Sequence, residues 1–431
     1  MVVPIVDEDD TTKGRRSDKA KEENPTQATI SQSILRETAN KLIREFAART
    51  IIEDNNKQIW VFTNGFYEPF GEQIFRQLLN ENNWPQPDIT KVLKIIKSIA
   101  GIRRSEFQID LSHNFTFVNL ENCVRNWKTG ETFEHDPKYV FKYKFPVVFA
   151  GESAGCPLFS EMVDKMFVSE EDIREFKKWC GYQLLNSSHY QKAMFIVGPA
   201  GYSKGTLLRT ITKVIGEHNC SAAPLKVLCN PNGYSIKFIE HKIANICADL
   251  ATSVLTGAEL STYYNITGED LMHGRELRFM PTDFRPRAKL SWAFNKLPMM
   301  SMGVFSYNEF WRRCNLIETR SYEYVDDPEF EERLTLEIPG IYSKFFEEGI
   351  RLLVKEGFRN YKKDDYKELK MKWLKKMRSA SEEDIIKEPR QLLKKLTAEE
   401  VKKEDMKLFE MNAEEVKKEE MNDIPNVEKK K

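Results

Sequence analysis

The segment AMFIVGPAGYSKGTLLRTITKVIG, residues 193–216, constrains the fold of this chain more than any other stretch. Ala193 to Val197 is an unbroken apolar run of strand length. Glycines at 198, 201 and 205 and Pro199 interrupt it, and from Leu207 the apolar residues recur at three- and four-residue steps, which is helical. A buried strand, a glycine-bearing loop and a helix in that order form the unit that binds nucleotide phosphates. Loop and helix-start N–H groups converge on one point, and the helix dipole favours an anion there. Such a unit implies the α/β class.

The strict phosphate loop reads Gly, four residues, Gly, Lys, then Ser or Thr. Here Gly198, Pro199, Ala200, Gly201 and Tyr202 precede Ser203, which stands where the second glycine belongs, followed by Lys204, Gly205 and Thr206. The lysine that bridges phosphate oxygens is retained, and the Mg²⁺-binding hydroxyl is displaced by one residue, to Thr206. Ser203 costs ~1–2 kcal/mol if the loop needs a left-handed backbone there, because a side chain is strained where glycine is not. Further on, KIANICADL reads as a strand ending in Asp249, where a carboxylate can hold Mg²⁺ and orient water. Leu290 to Phe294 is a second apolar strand, ending in Asn295, whose amide can touch a γ-phosphate. NEFWRRCNLIE puts Arg312 and Arg313 beside Trp311 before a last strand, and a guanidinium there can reach a neighbouring subunit's γ-phosphate. Taken singly, each also reads as ordinary structure: a buried strand with a loop acid, a turn, a surface ion pair.

The rest of the chain frames this core. Residues 1–29 are polar and charged, the composition of a tail that does not fold. Residues 30–150 read as a mixed α and β domain. SILRETANKLIREFAAR is an amphipathic helix, Asn64-Gly65 centres a hairpin, GEQIFRQLL and ITKVLKIIKSIAGI are helices, Lys128-Thr129-Gly130 is a turn, and KYVFKYKFPVVF is a short aromatic strand. Residues 151–190 form a helical lead-in, with Ser169 as a helix cap. Residues 191–325 are the phosphate-loop core, 326–385 a helical region, and 386–431 a charged tail in which AEEVKKEDM recurs as AEEVKKEEM. Lys and Arg total 66 and Asp and Glu total 66, so no global field drives the chain onto nucleic acid; any such contact needs a local patch. Seven scattered cysteines without a C-x-x-C pair argue against a zinc site or a disulfide framework. No apolar run reaches the ~18 residues of a membrane span, and the acidic start is unlike a signal peptide, so a soluble protein of the host-cell cytoplasm is expected.

In this order the pieces resemble the superfamily 3 helicases, specifically the primase-helicase branch of phages, plasmids and viruses that includes the poxvirus primase-helicase. NFTFVNLENCVRNWKTGETFEHDPKYVFKYKFPVVF is similar to the strand region before that family's helicase core. CPLFSEMVDKMF, FKKWCGYQLL and AMFIVGPAG look like its lead-in helices and Walker A loop, and FWRRCNLIE like its arginine-finger segment. The resemblance covers residues 30 to about 353. It implies a P-loop AAA+-type core preceded by a mixed α+β domain and followed by a helical region, using ATP and Mg²⁺. In that reading Lys204 and residues 198–206 hold phosphates, Thr206 and Asp249 hold Mg²⁺, Asn295 senses the γ-phosphate, and Arg312 or Arg313 serves the adjacent subunit. The Gly205-Thr206 order also occurs in adenylate kinases.

ITGEDLMHGRELRFMPTDFRPRAKL is similar to the family's DNA-contacting hairpin, and its cations His273, Arg275, Arg278, Arg285, Arg287 and Lys289 are spaced to follow one strand's phosphates. The resemblance implies a homo-hexamer with single-stranded DNA in its channel and a separate primase, since too few residues precede the lead-in for a primase domain. Two alternatives stand beside this: a replication-initiation scaffold that binds DNA with little hydrolysis, and a small-molecule P-loop kinase.

Overall fold

The structure, a computed structural model, describes residues 30–52, 57–103, 106–107, 116–201, 203–232, 234–248, 255–275, 282–298, 300, 308–322, 327–359 and 365–376. Helix α1 (Gln32–Glu45) buries Leu35, Ala39 and Leu42 at helical spacing, against Ile89, Val92, Leu93 and Ile96 of α3 (Gln86–Ile99). With α2 (Gly71–Glu81) they pack on one face of a sheet ordered β3-β2-β1-β4: β1 Arg49–Ile51, β2 Ile59–Thr63, β3 Phe66–Glu68 and β4 Gly101–Ile102. Period-two alternation divides β2: Ile59 and Val61 join the helices, while Trp60 joins Tyr67 and Phe107 in a separate cluster. The β2–β3 hairpin turns where expected, on Asn64 and Gly65 with φ of 51° and 89°.

A three-stranded antiparallel sheet follows, of β5 (Phe117–Asn119), β6 (Val124–Asn126) and β7 (Thr132–Phe133). The expected strand KYVFKYKFPVVF is not one. It opens with a 3₁₀ turn, Pro137–Tyr139, and continues as extended chain without a ladder. Its alternation is real, since Phe141, Tyr143, Phe145 and Val147 are buried. Its polar backbone is satisfied piecemeal instead: Phe141 O accepts from Tyr67 N–H, Tyr143 O from the Asn119 side chain, and Phe145 N–H donates to Asn119 O, while Pro146 has no donor to give.

The lead-in helices are α4 (Pro157–Met166) and α5 (Glu170–Tyr182); Ser169 Oγ caps the latter by accepting from Asp172 N–H at 3.2 Å. Beyond them lies a sheet of five parallel strands, β8 (Ala193–Val197), β9 (Cys220–Ser221), β10 (Ala244–Ala248), β13 (Lys289–Phe294) and β14 (Cys314–Glu318), in the order β14-β8-β13-β10-β9. Its connections carry α6 (Lys204–Ile215), α7 (Leu225–Leu228), α8 (Gly257–Gly268), the antiparallel pair β11 (Met272–Gly274) and β12 (Thr282–Phe284), and α9 (Asn308–Arg313). Both faces are covered, which is why these strands read as continuous apolar runs. On β8, Met194 and Ile196 enter one core with Leu207 and Ile211 of α6; Ala193, Phe195 and Val197 enter another with Trp292, Phe294 and Trp311.

The C-terminal elements complete both cores. Helices α10 (Phe330–Leu336) and α11 (Ile338–Ile341), a π-helical turn at Tyr342–Glu347 and α12 (Glu348–Glu356) pack into the α6 side. There Gly181 and Gly349 let α5 and α12 touch backbone to backbone, because a Cβ on Gly181 would collide with the main chain of Gly349 and Ile350. Val118, Val124, Trp127, Phe141, Phe145 and Val147 share this core, and Arg125 of β6 pairs with the buried Glu347 at 2.8 Å. On the opposite face α13 (Asp365–Lys376) buries Leu369, Trp373 and Leu374, with Trp373 Nε1 donating to Pro298 O at 3.1 Å.

Candidate functional site

The candidate site lies at the carboxyl ends of the parallel strands. From β8 the chain runs through α6 to β9 at one edge, whereas β14 lies on the other side of β8. The loop leaving β8 therefore sits where the connections diverge, the position at which open α/β sheets bind ligands. Gly198 N–H donates to Phe294 O at 3.2 Å, and a Cβ at this residue would collide with Thr319, the residue after β14. Gly201 has φ 83° with open space around it. Ser203 has φ 54° and ψ 6°, the left-handed conformation that the loop pattern reserves for glycine. Its strain is countered by a bond the sequence does not reveal: Tyr322 O–H donates to Ser203 Oγ at 2.6 Å.

Lys204 is the first residue of α6 and is 8% exposed. Its Nζ donates to Gly198 O at 2.8 Å and to Pro199 O, so the ammonium is folded back across the loop. Burial holds its pKa below the usual lysine value, which means an arriving anion relieves a desolvated cation. Loop amides, a helix start and a buried lysine together fit a phosphate group.

The neighbouring strand ends are close by register. Phe294 of β13 pairs with Val197 of β8, so Asn295, exposed, begins its loop beside the phosphate loop. The end of α13 lies against the same region: Leu297 N–H donates to Lys376 O at 2.7 Å, and Lys376 Nζ lies 3.0 Å from Glu318 at the end of β14. Tyr202, Asp249 and Arg278 lie outside the described residues.

The donor set for Mg²⁺ is poorer than the one for phosphate. Gly205, directly after the lysine, carries no side-chain oxygen, and its Cβ position lies 3.0 Å from Arg209 Nη1. The Thr206 hydroxyl donates to Glu331 Oε1 at 3.2 Å and receives Arg209 Nη2 at 3.3 Å. Among the described residues no group of three acids, histidines or cysteines is arranged to hold a metal. The first turn of α6 thus offers an anion the Lys204 ammonium and the helix start, while its Thr206 hydroxyl is already engaged by Glu331 and Arg209.

The two arginines differ. Arg312 is exposed and donates to Gln191 Oε1 at 2.8 Å, whereas Arg313 is half-buried, donates to Tyr264 O at 2.6 Å and to Thr267, and lies over the Tyr264 ring. Arg312 is thus the more exposed of the two.

The cations of the expected hairpin also separate. The β11–β12 pair forms it, with His273 opposite Asp283 and their side chains 2.7 Å apart. His273, Arg275 and Arg285 are exposed, with Arg285 donating to Glu269 O; Arg287 donates to Glu269 Oε1 at 2.8 Å. Lys289 is off that surface. It is 2% exposed, donates to Leu185 O and lies over the Tyr182 ring, and burial lowers its pKa to about 7. As the first residue of a strand covered on both faces, it points into the protein.

Sequence reasoning missed Arg209, Tyr322, Glu331 and Glu269. Arg209 had a local signal, being one helical turn after Gly205 on the same face. Tyr322 and Glu331 meet the loop only through folding. Among the described residues no helix is long and apolar enough to cross a membrane.

Residues 32–168 match the family described as D5 N terminal like. No curated protein matches the sequence. Solved structures similar to the chain include two A-form apo structures of the NrS-1 C terminal region. They are 13% and 12% identical, with TM-scores of 0.48 and 0.47, and cover 78% and 73% of this chain and 74% and 70% of those chains. A further apo structure of that region is 11% identical, with a TM-score of 0.49, covering 80% of this chain and 75% of that one.

Proposed function

We propose that the chain is an ATP-dependent replicative DNA helicase or translocase of the superfamily 3 type, from a virus, phage or plasmid, working as a homo-hexameric ring on single-stranded DNA in the host cytoplasm. The observation that carries this reading is the buried Lys204 folded into the Gly198–Ser203 loop at the carboxyl end of an inner strand of the parallel sheet, with Asn295 at the next strand end. The match of residues 32–168 to a domain found in D5-like primase-helicases supports it independently. In this reading the AAA+-type core places the loop amides and Lys204 on the ATP phosphates, and Asn295 contacts the γ-phosphate. Arg312, the exposed arginine, completes the neighbour's site across a subunit boundary. His273, Arg275, Arg285 and Arg287 line the DNA.

The test is ATP hydrolysis by the purified protein with and without single-stranded DNA. DNA-stimulated turnover that falls by about 100-fold in Lys204→Ala is the expected result. Turnover equal to that of Lys204→Ala, with DNA binding intact, refutes the motor. That outcome supports the second reading, a DNA-binding initiation scaffold, which the absence of a hydroxyl at Gly205 favours.

A further inference from the structure

Arg209 and Glu331 form a side-chain cluster at the mouth of the phosphate loop that the reading above does not use. Arg209 leaves α6 one turn after Gly205 and reaches back toward the helix start, as helical side chains do. Its Nη1 comes within 3.0 Å of the point where a side chain at residue 205 would begin, the point from which a strict phosphate loop projects its metal-binding hydroxyl. Its Nε lies 3.0 Å from both carboxylate oxygens of Glu331 on α10, Nη2 also bonds that carboxylate, and the same carboxylate takes the Thr206 hydroxyl. A cation therefore stands where a strict loop has the metal's hydroxyl ligand, and one carboxylate from the C-terminal region neutralises it.

We propose that Arg209 is a phosphate ligand for a nucleoside triphosphate, supplying the positive charge at the first turn of α6 that a divalent cation supplies elsewhere, and that Glu331 is the carboxylate the phosphate displaces from it. This rests on the phosphate loop being a nucleotide site. A guanidinium presents a planar fork suited to phosphate oxygens, and carboxylate and phosphate compete for the same fork. Glu331 belongs to α10, which packs on α6, so displacement would free the helix that also ties Thr335 to Lys213 at 2.9 Å. Nucleotide occupancy and the position of α10 are then linked through one ion pair.

The experiment is calorimetric titration of the full chain with ATP, in Mg²⁺ and in EDTA, for the wild type, Arg209→Gln, Glu331→Gln, Gly205→Ser and Lys204→Ala. The wild type is expected to keep its affinity within about threefold when Mg²⁺ is removed. Arg209→Gln is expected to lose at least tenfold in EDTA, and Glu331→Gln to bind ATP several-fold more tightly by removing the competitor. Gly205→Ser, which restores a hydroxyl and crowds Arg209, is expected to make binding Mg²⁺-dependent. The proposal is overturned if Arg209→Gln binds as the wild type does in EDTA, which shows that Arg209 does not hold the phosphates, or if wild-type binding requires Mg²⁺ while remaining sensitive to Lys204→Ala, which shows a nucleotide site of the ordinary kind. Absence of ATP binding under both conditions overturns the proposal together with the reading beneath it.

Discussion

Ser203 and Tyr322 form a pair whose energetics can be worked out before measurement. Holding a serine at φ 54° costs about 1–2 kcal/mol relative to glycine, while a hydrogen bond of the kind made by Tyr322 contributes about 0.5–1.5 kcal/mol. Ser203→Gly relieves the strain, loses the bond and adds about 0.5–1 kcal/mol of unfolded-chain entropy, so the opposing contributions nearly cancel in the wild type, leaving a net effect between about 1 kcal/mol stabilising and about 1.5 kcal/mol destabilising. In a Tyr322→Phe background the bond is already gone, and the same substitution is neutral or stabilising. The entropy and strain contributions cancel in the double-mutant cycle, leaving a coupling of about 1 kcal/mol that belongs to the hydroxyl pair alone. Urea unfolding followed by tryptophan fluorescence reads it, since Trp292 lies on the strand next to the loop's own. A coupling within about 0.3 kcal/mol of zero would refute the claim that Tyr322 compensates the serine.

Two further expectations concern buried groups. Lys289, with a pKa near 7 in the folded protein against about 10.4 unfolded, sheds its proton on folding, so stability rises with pH between about 7 and 10 and this group's penalty is complete below 7. Lys289→Met is expected to flatten that rise and to stabilise the protein by about 1–3 kcal/mol at pH 6; thermal melts from pH 6 to 9.5 with equal slopes for both proteins would contradict it. Trp373→Ala is expected to cost about 3–5 kcal/mol, because a fully buried indole leaves a large void and an unpaired Pro298 carbonyl, and α13 should then be released to proteolysis. A variant with unchanged melting and protease resistance would show that α13 is dispensable to that core.

Much of the core was legible because its signals are local. The run Ala193–Val197, the loop glycines and the spacing from Leu207 specify a strand, a turn and a helix through neighbours a few residues apart, and the structure has α6 starting at Lys204. The Asn64-Gly65 hairpin and the Ser169 cap were readable for the same reason. KYVFKYKFPVVF misled because alternation reports which residues are buried, not whether the backbone finds a partner strand; Asn119 and Tyr67 took its hydrogen bonds instead.

By itself, then, the sequence determined a strand, a glycine-bearing loop and a helix in that order, and the placing of Asn295 at a strand end; the left-handed backbone at residue 203 became certain only in the structure. Only the tertiary structure decided what each charge faces. It turned Lys289 inward and Arg312 outward, joined Tyr322 to Ser203, and brought Glu331 across more than a hundred residues of chain to Arg209. Periodicity is set by covalent geometry over a few residues. A charged side chain's partner and exposure are set by which distant surfaces pack against it, and no local pattern encodes that.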